Sequence, residues 1–304
     1  MKIVSLLPSA TEIVFALGLG DNLEGVTYEC DHPDEARTKP VVVEGALPQD
    51  RPLSAREIED AVREHMDARE PIYTLHKDLI QKIQPDLILA QDLCRVCAVP
   101  SGQVEDALAE LGTEAEVLSL DPHDLEGILA SIVRVGRATG TEERAAEVVE
   151  GLRQRLEALR ATAVRLPTIR TLALEWSDPP YVGGHWVPEM VQLVGGENLL
   201  NAPKERSRVV TWRQVADAQP EVIVFMPCGY YLEEAEAEGA RLFENPELRA
   251  TTAVASGAVF AVDATSYFSR PGPRIVDGAE ILSWAIHPEA FPEPDLDRIV
   301  RITP

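Results

Sequence analysis

Cysteines and histidines near the ends of apolar segments are the residues best suited to do chemistry in this sequence. Cys94 and Cys97 have the Cys-x-x-Cys spacing of redox pairs and of half a zinc site. Zinc needs further ligands, and the other candidates, Cys30, His32 and His76, stand at no diagnostic spacing. Two reduced thiols are the simplest interpretation of the pair, and a metal, ligand-binding or disulfide role is the alternative.

His185 is another candidate metal ligand, because it stands between glycines and a tryptophan in Gly183-Gly184-His185-Trp186. A neutral imidazole on a loop can ligate cobalt or haem iron. A histidine in such a place more often caps the following helix or bonds a backbone carbonyl. Cys228, within Pro227-Cys228-Gly229, is a weaker candidate of the same kind.

Aromatic side chains concentrate in three segments that follow predicted strands in the second half of the chain. They are Trp176, Tyr181, Trp186, Tyr230, Tyr231, Tyr267 and Phe268. Aromatic faces stack on flat ligands and supply apolar area with few rotatable bonds, and Arg270 adds a cation nearby. Several of these rings could instead simply pack the loops together. We favour ligand binding, because ligands of parallel sheets lie beyond the carboxyl ends of the strands.

The motifs of common catalytic machineries are absent from the sequence. It contains no Gly-x-Ser-x-Gly elbow, no phosphate loop ending in Lys-Ser/Thr and no His-Glu-x-x-His. The acidic runs at 57–60 and 233–236 are typical of solvated helix faces. The sequence therefore favours a binding protein over an enzyme, with no cofactor of its own.

One pattern occurs twice along the chain and predicts two similar α/β lobes. A helical segment ends at Gln84-Pro85, and an acidic residue and an apolar strand at 87–90 follow. The same order recurs at Gln219-Pro220 with a strand at 222–225. The predicted fold class is therefore two Rossmann-like α/β lobes with parallel sheets, joined by a long helix, with a ligand cleft between the lobes.

The joining helix is predicted from about Glu142 to Ala163, where apolar residues recur at helical spacing. At 1.5 Å per residue it is roughly 30 Å long, which is about the diameter of a lobe. The predicted organisation is an N-terminal lobe at 1–138, a lobe-spanning helix at 139–166 and a C-terminal lobe at 167–304.

Charge and hydropathy limit the partners and the location. The formal charge of −23 disfavours nucleic acid and anionic membrane surfaces and suits a neutral or cationic ligand. No apolar run approaches the roughly 18 residues needed to span a bilayer. Because no signal-peptide apolar region follows Lys2, we expect a cytoplasmic protein with reduced thiols. Periplasmic or cell-surface location is the alternative if Met1 begins a mature chain.

Several segments together resemble the cobalamin-binding branch of the helix-backbone substrate-binding proteins of ABC transporters. They are the segment at 1–12, the strand at 85–88, the spanning helix and the segment at 268–274. The resemblance covers essentially the whole chain and implies non-catalytic binding of cobalamin or a related corrinoid. Matched position by position, it places Tyr28, Trp176, Trp186, Phe268 and Arg270 at the ligand. With the loop residues above, the predicted ligand-binding set is Tyr28, Glu29, Cys94, Trp176, His185, Trp186, Tyr230, Tyr267, Phe268 and Arg270.

The resemblance also implies a membrane partner. Well-known members form ion pairs between one surface Glu on each lobe and arginines of an ABC permease. The matching positions in this sequence are Asp78 and Arg213. An arginine there would repel such a partner, which puts standard docking in doubt. The alternative functions are a haem or ferric-siderophore binding protein and, from another class, a metal or redox protein using Cys94 and Cys97.

Overall fold

The computed structural model describes residues 1–46, 53–68, 72–93, 99, 101–111 and 114–303. Its contacts divide the chain into two compact units. The first unit comprises Met1–Pro122 and Glu126–Glu150, and the second comprises His123–Leu125 and Gly151–Pro304. Helix α6 (Glu142–Ala163) lies within the segment at 139–166 that we assigned to a connecting helix, and its residues are divided between the units.

The first unit is built on one six-stranded sheet in the order β4-β3-β2-β1-β5-β6. The strands are β1 (Ile3–Ser5), β2 (Leu23–Thr27), β3 (Val41–Gly45), β4 (Tyr73–Leu75), β5 (Leu87–Ala90) and β6 (Glu116–Ser119). The helices are α1 (Pro8–Ala16), α2 (Ala55–Ala68), α3 (Lys77–Ile83), α4 (Ser101–Leu111) and α5 (Leu125–Thr139). Short 3-10 turns lie at Gly20–Asn22 and Asp34–Thr38.

All neighbours in this sheet are parallel except β3 and β4, which run antiparallel. The four residues of β5 are all buried, as its uninterrupted apolar sequence predicted. Helices cover both faces of such a strand, so neither face is exposed to solvent and apolar residues are favoured throughout. Because parallel strands end at one edge of the sheet, the loops after β1, β2, β5 and β6 gather there.

The second unit contains a seven-stranded sheet in the order β10-β8-β7-β11-β12-β13, with β9 also paired to β7. The strands are β7 (Ile169–Ser177), β8 (Pro180–Val182), β9 (Gly196–Asn198), β10 (Arg208–Val209), β11 (Val222–Phe225), β12 (Val259–Val262) and β13 (Ile299–Arg301). The helices, besides part of α6, are α7 (Val187–Leu193), α8 (Trp212–Ala218), α9 (Leu232–Arg241), α10 (Pro246–Arg249), α11 (Thr252–Ser256), α12 (Ala264–Tyr267) and α13 (Ile275–Ile286). A 3-10 turn lies at Leu242–Glu244.

The sheets are mixed, which corrects the expectation of purely parallel sheets. In the second unit β7, β11 and β12 form a parallel centre whose edges are antiparallel. A short turn suffices for an antiparallel pair, and here β7 turns directly back into β8. Trp176 and Tyr181, which we placed in a loop, are therefore paired strand residues.

Candidate functional site

Three loops of the second unit are hydrogen-bonded to one another at the carboxyl ends of its central strands. The backbone N–H of Cys228, after β11, donates to the Glu175 carbonyl on β7 at 3.4 Å. The Thr265 N–H, after β12, donates to the Tyr230 carbonyl at 3.1 Å. The Trp186 indole N–H donates to the Phe268 carbonyl at 2.9 Å. The aromatic segments found in the sequence thus form one connected site at this edge, which we call the aromatic edge: residues 175–177, 184–186, 228–231 and 265–270.

Trp176 and Tyr230 form the ring pair at the centre of the aromatic edge. Their centroids are 5.4 Å apart with an interplanar angle of 66°, which is an edge-to-face contact. Trp176 is 9% exposed and Tyr230 is half-buried. Burial, with the charges of Glu238 and Glu234, raises the pKa of Tyr230 to about 12, so its hydroxyl stays protonated and can donate a hydrogen bond.

Glu238 provides, through its carboxylate, a negative charge close to the Tyr230 hydroxyl of this ring pair. Its carboxylate accepts a hydrogen bond from the Ser177 hydroxyl at 2.6 Å and pairs with Arg241 at 3.2 Å. Two donors hold the carboxylate in place, and its negative charge acts on the neighbouring phenol of Tyr230. Sequence reasoning missed Glu238, because an acidic residue in a run of helical glutamates carries no signal of its own.

Trp186 and Phe268 are buried rather than open to solvent. Trp186 is 6% exposed and Phe268 is 2% exposed. With its indole N–H committed to the Phe268 carbonyl, Trp186 ties two loops together. In this conformation both rings are packed inside the aromatic edge and expose little surface to a ligand.

Tyr267 lies among arginines. The guanidinium carbons of Arg298 and Arg274 are 5.3 and 5.7 Å from its ring centroid, within range of cation–π attraction. Burial raises the pKa of Tyr267. Arg270 is 6% exposed, and with Arg274 it provides positive charge near the buried Asp263, whose carboxylate caps α12 by accepting the Ser266 N–H at 2.8 Å.

His185 stands on a tightly held loop before α7. Its φ is +53°, its N–H donates to the Glu205 carbonyl at 2.6 Å, and its carbonyl accepts from the Lys204 N–H at 2.9 Å. Burial, the His123 ring and Arg206 lower the pKa of His185, which favours its neutral form. Its Nδ1 is buried and has no hydrogen-bond partner among the described residues.

Tyr28 and Glu29 belong to the first unit, just after β2. Tyr28 is 40% exposed, and its ring lies on Gly45, where an added Cβ would come within 2.6 Å of the phenol oxygen. Partial burial and the adjacent Glu29 raise the pKa of Tyr28. Cys30 is buried, with its sulfur 3.1 and 3.3 Å from the hydroxyls of Thr11 and Thr27.

The pair Cys94 and Cys97 lies outside the described residues, so their proposed metal or redox role stays a prediction. Among the residues that are described, no three His, Cys, Asp or Glu side chains converge as metal ligands. Searching the same residues, we find no helix long and apolar enough to cross a membrane.

Two α/β units with loops gathered at the ends of parallel strands are typical of solute-binding proteins, and the comparison with known families agrees. The chain belongs to the periplasmic binding protein family, whose pattern matches residues 3–265. It is 25% identical over 301 residues to the uncharacterised ABC transporter substrate-binding lipoprotein YvrC of Bacillus subtilis, covering 96% of this chain and 82% of that protein. It is 28% identical over 285 residues to the vitamin B12-binding protein of Vibrio cholerae, covering 92% and 86%.

Solved structures show the same architecture. The periplasmic vitamin B12 binding protein BtuF of Vibrio cholerae matches with a TM-score of 0.68 at 26% identity, covering 94% of this chain and 96% of that one. A periplasmic heme binding protein from Pseudomonas aeruginosa shares the fold, with a TM-score of 0.69 at 23% identity over 96% and 95% of the two chains. The family resemblance and the two-lobe α/β fold class inferred from the sequence are confirmed.

The relatives also bear on location and activity. The family is described as periplasmic, and one relative is a lipoprotein. These relatives agree with the periplasmic or cell-surface alternative and give no support to the expected cytoplasmic location. A family of solute-binding proteins is consistent with the absence of an enzymatic function.

Proposed function

We propose that this protein is the substrate-binding component of an ABC-type uptake system and that it binds cobalamin or a related corrinoid without altering it. The observation that carries the proposal is the Trp176–Tyr230 pair at the centre of the aromatic edge. The similarity to a vitamin B12-binding protein over 92% of the chain supports the same ligand class.

The chemistry of the aromatic edge suits such a ligand. A corrinoid combines a flat macrocycle with peripheral amides, so it needs apolar contact area and hydrogen-bond donors at its rim. The ring pair offers apolar area, and the Tyr230 hydroxyl stays protonated and donates to amide carbonyls. A protein of charge −23 also repels an anionic ligand more than a neutral one.

Calorimetric titration with four ligands tests the proposal: cyanocobalamin, cobinamide, hemin and a ferric siderophore. We expect saturable binding of cyanocobalamin at one site, with a Kd of about 1 µM or tighter. Cobinamide lacks the nucleotide loop, so a difference between the two corrinoids shows which face the protein contacts. Binding of hemin or the siderophore instead would overturn the ligand class while keeping the transport role.

A matched pair of variants tests the site. Tyr230→Phe keeps the ring and removes the hydroxyl, and we expect about a 10-fold loss of corrinoid affinity, which corresponds to one hydrogen bond. Tyr73→Phe makes the same change on edge strand β4 of the first unit and should leave affinity unchanged. Equal affinities for Tyr230→Phe and the parent protein would remove Tyr230 from the site.

A further inference from the structure

The imidazole rings of His123 and His185 are neighbours in the second unit. Their centroids are 5.8 Å apart and their planes are inclined by 42°. His123 is exposed, whereas His185 is partly buried. One ring of the pair is therefore open to solvent, and the other is backed by protein. The sequence gives no signal for His123, because Pro122-His123-Asp124 contains no second histidine or cysteine at the spacing of metal ligands.

Both histidines are held by contacts on either side. The segment that carries His123 is fixed by an ion pair between Asp124 and Lys204 at 2.8 Å. It is fixed again where the Leu125 N–H donates to the Glu189 carboxylate at 2.9 Å. Lys204 also donates its backbone N–H to the His185 carbonyl, so one residue contacts both segments.

The backbone of His185 cannot drift, because Gly184 is packed against the loop at 205–207. A Cβ added at Gly184 would lie 2.1 Å from the Ser207 nitrogen and 2.8 Å from the Glu205 carbonyl oxygen. The left-handed conformation of His185 is also uncommon for a residue with a side chain. The backbone that carries the His185 ring is therefore fixed, which limits where the ring can lie and favours a preorganised metal ligand.

Among the described residues, one ring nitrogen of His185 lacks the partner that a buried polar atom normally has. Its Nδ1 is buried without a hydrogen-bond partner in the described part of the chain, an arrangement that costs free energy and calls for an explanation.

We propose that His123 and His185 bind a divalent transition metal ion such as Zn²⁺, Ni²⁺ or Cu²⁺, with one ring nitrogen from each residue. An ion 2.0 to 2.1 Å from one nitrogen of each ring allows centroids about 4.5 to 6.5 Å apart, and the observed separation of 5.8 Å lies within that range. Imidazole selects these ions over Mg²⁺ and Ca²⁺, which prefer oxygen ligands. Water completes the coordination sphere. The metal site shares His185 with the aromatic edge, but its test does not depend on the corrinoid proposal.

Calorimetric titration of untagged, EDTA-treated protein with ZnCl₂ and NiCl₂ at pH 7.5 tests this site. We expect one saturable site. His123→Ala and His185→Ala should each weaken binding by about 10-fold or more, since even a residue that only supports a ligand costs that much. His76→Ala is the matched control, because His76 pairs with Glu44 in the first unit at 3.2 Å, and it should bind as the parent does.

Electron paramagnetic resonance of the Cu²⁺-loaded parent protein gives a readout that does not depend on how well the variants fold. Couplings to two imidazole nitrogens are expected, falling to one in either variant. Circular dichroism identifies any variant that has unfolded. The proposal is overturned if the parent binds none of the ions, if its Cu²⁺ spectrum lacks two nitrogen couplings, or if both folded variants bind as tightly as the His76→Ala control.

Discussion

Gln84 and Gln219 end their helices in the same way, although they stand in different units. Each has a left-handed backbone, with φ of +51° and +42°, at the C-terminus of a seven-residue helix. Each side-chain amide donates at 2.7 Å to the carbonyl three residues earlier, on Gln81 and Ala216. The recurring Gln-Pro pattern in the sequence therefore corresponds to one local geometry built twice.

The likeness extends into the strands that follow. In the first unit, the Asp86 N–H donates to the Lys2 carbonyl at 2.9 Å, and its carboxylate accepts the Lys2 N–H at 2.6 Å. In the second, the Glu221 N–H donates to the Arg170 carbonyl at 2.8 Å, and its carboxylate accepts the Arg170 N–H at 3.0 Å. The acidic residue after the proline thus joins the start of the first strand of its own unit in both cases.

Replacing Gln219 separates backbone strain from the side-chain hydrogen bond. Glycine adopts a positive φ at little cost in free energy, whereas the same conformation destabilises alanine by about 1 kcal/mol. We expect Gln219→Ala to be less stable than Gln219→Gly by about that amount, as measured by urea unfolding. The same pair of substitutions at Gln84 is an independent repeat, and the same order of stability is expected there. Equal stability of the alanine and glycine variants would contradict the left-handed assignment.

The repeated geometry makes Asp78 and Arg213 equivalent positions, because each is the second residue of a helix that ends at one of these glutamines. Arg213 is 74% exposed and pairs with Asp217 at 3.0 Å. We expect the protein not to stimulate a cobalamin permease that grips paired acids with arginines, since like charges oppose association. Arg213→Glu should increase the stimulation of ATP hydrolysis in reconstituted membranes. Strong stimulation by the unaltered protein would show that docking uses other residues.

Trp186→Phe should destabilise the second unit. The variant keeps most of the ring but leaves the Phe268 carbonyl without its indole donor, and an unsatisfied buried acceptor costs about 1–3 kcal/mol. We expect a lower midpoint of thermal unfolding. Trp186→Ala and Phe268→Ala would instead remove whole buried rings at about 3–5 kcal/mol each, so neither is a clean test of ligand binding. An unchanged midpoint for Trp186→Phe would mean that the hydrogen bond adds nothing.

His287 should make the protein sensitive to acid. It is 8% exposed, and burial lowers its pKa, opposed by the nearby Gly195 backbone. Because the unfolded chain takes up a proton near pH 6.5 and the folded chain does so only at lower pH, stability present above about pH 6.5 is lost as the pH falls below it. His287→Gln should reduce this loss in denaturant titrations at pH 7.5 and 5.5. An equal loss in both proteins would assign the effect to other groups.

The sequence predicted the repeated helix–strand pattern and helix α6, but it predicted neither the short edge strands nor the burial of the aromatic rings at the candidate site. Apolar runs and the Gln-Pro stops identified β5 and β11, because a strand covered on both faces must be apolar throughout. Trp176 was misplaced, because a tight turn from β7 into β8 leaves no distinct signal in an aromatic-rich segment. The presence of an aromatic residue in a loop also does not show whether its side chain is exposed or buried. Phe268 and Tyr231 looked alike in sequence, yet one is 2% and the other 40% exposed.

Gly184 sets a limit on how this scaffold can be engineered. Any side chain at Gly184 would collide with the backbone at 205–207, so a library that randomises it would consist mostly of misfolded members. Partly buried Tyr230, by contrast, has a side chain that can change without moving the chain. Directed evolution of a sensor for a new solute should hold residue 184 constant and place its diversity at positions such as Tyr230.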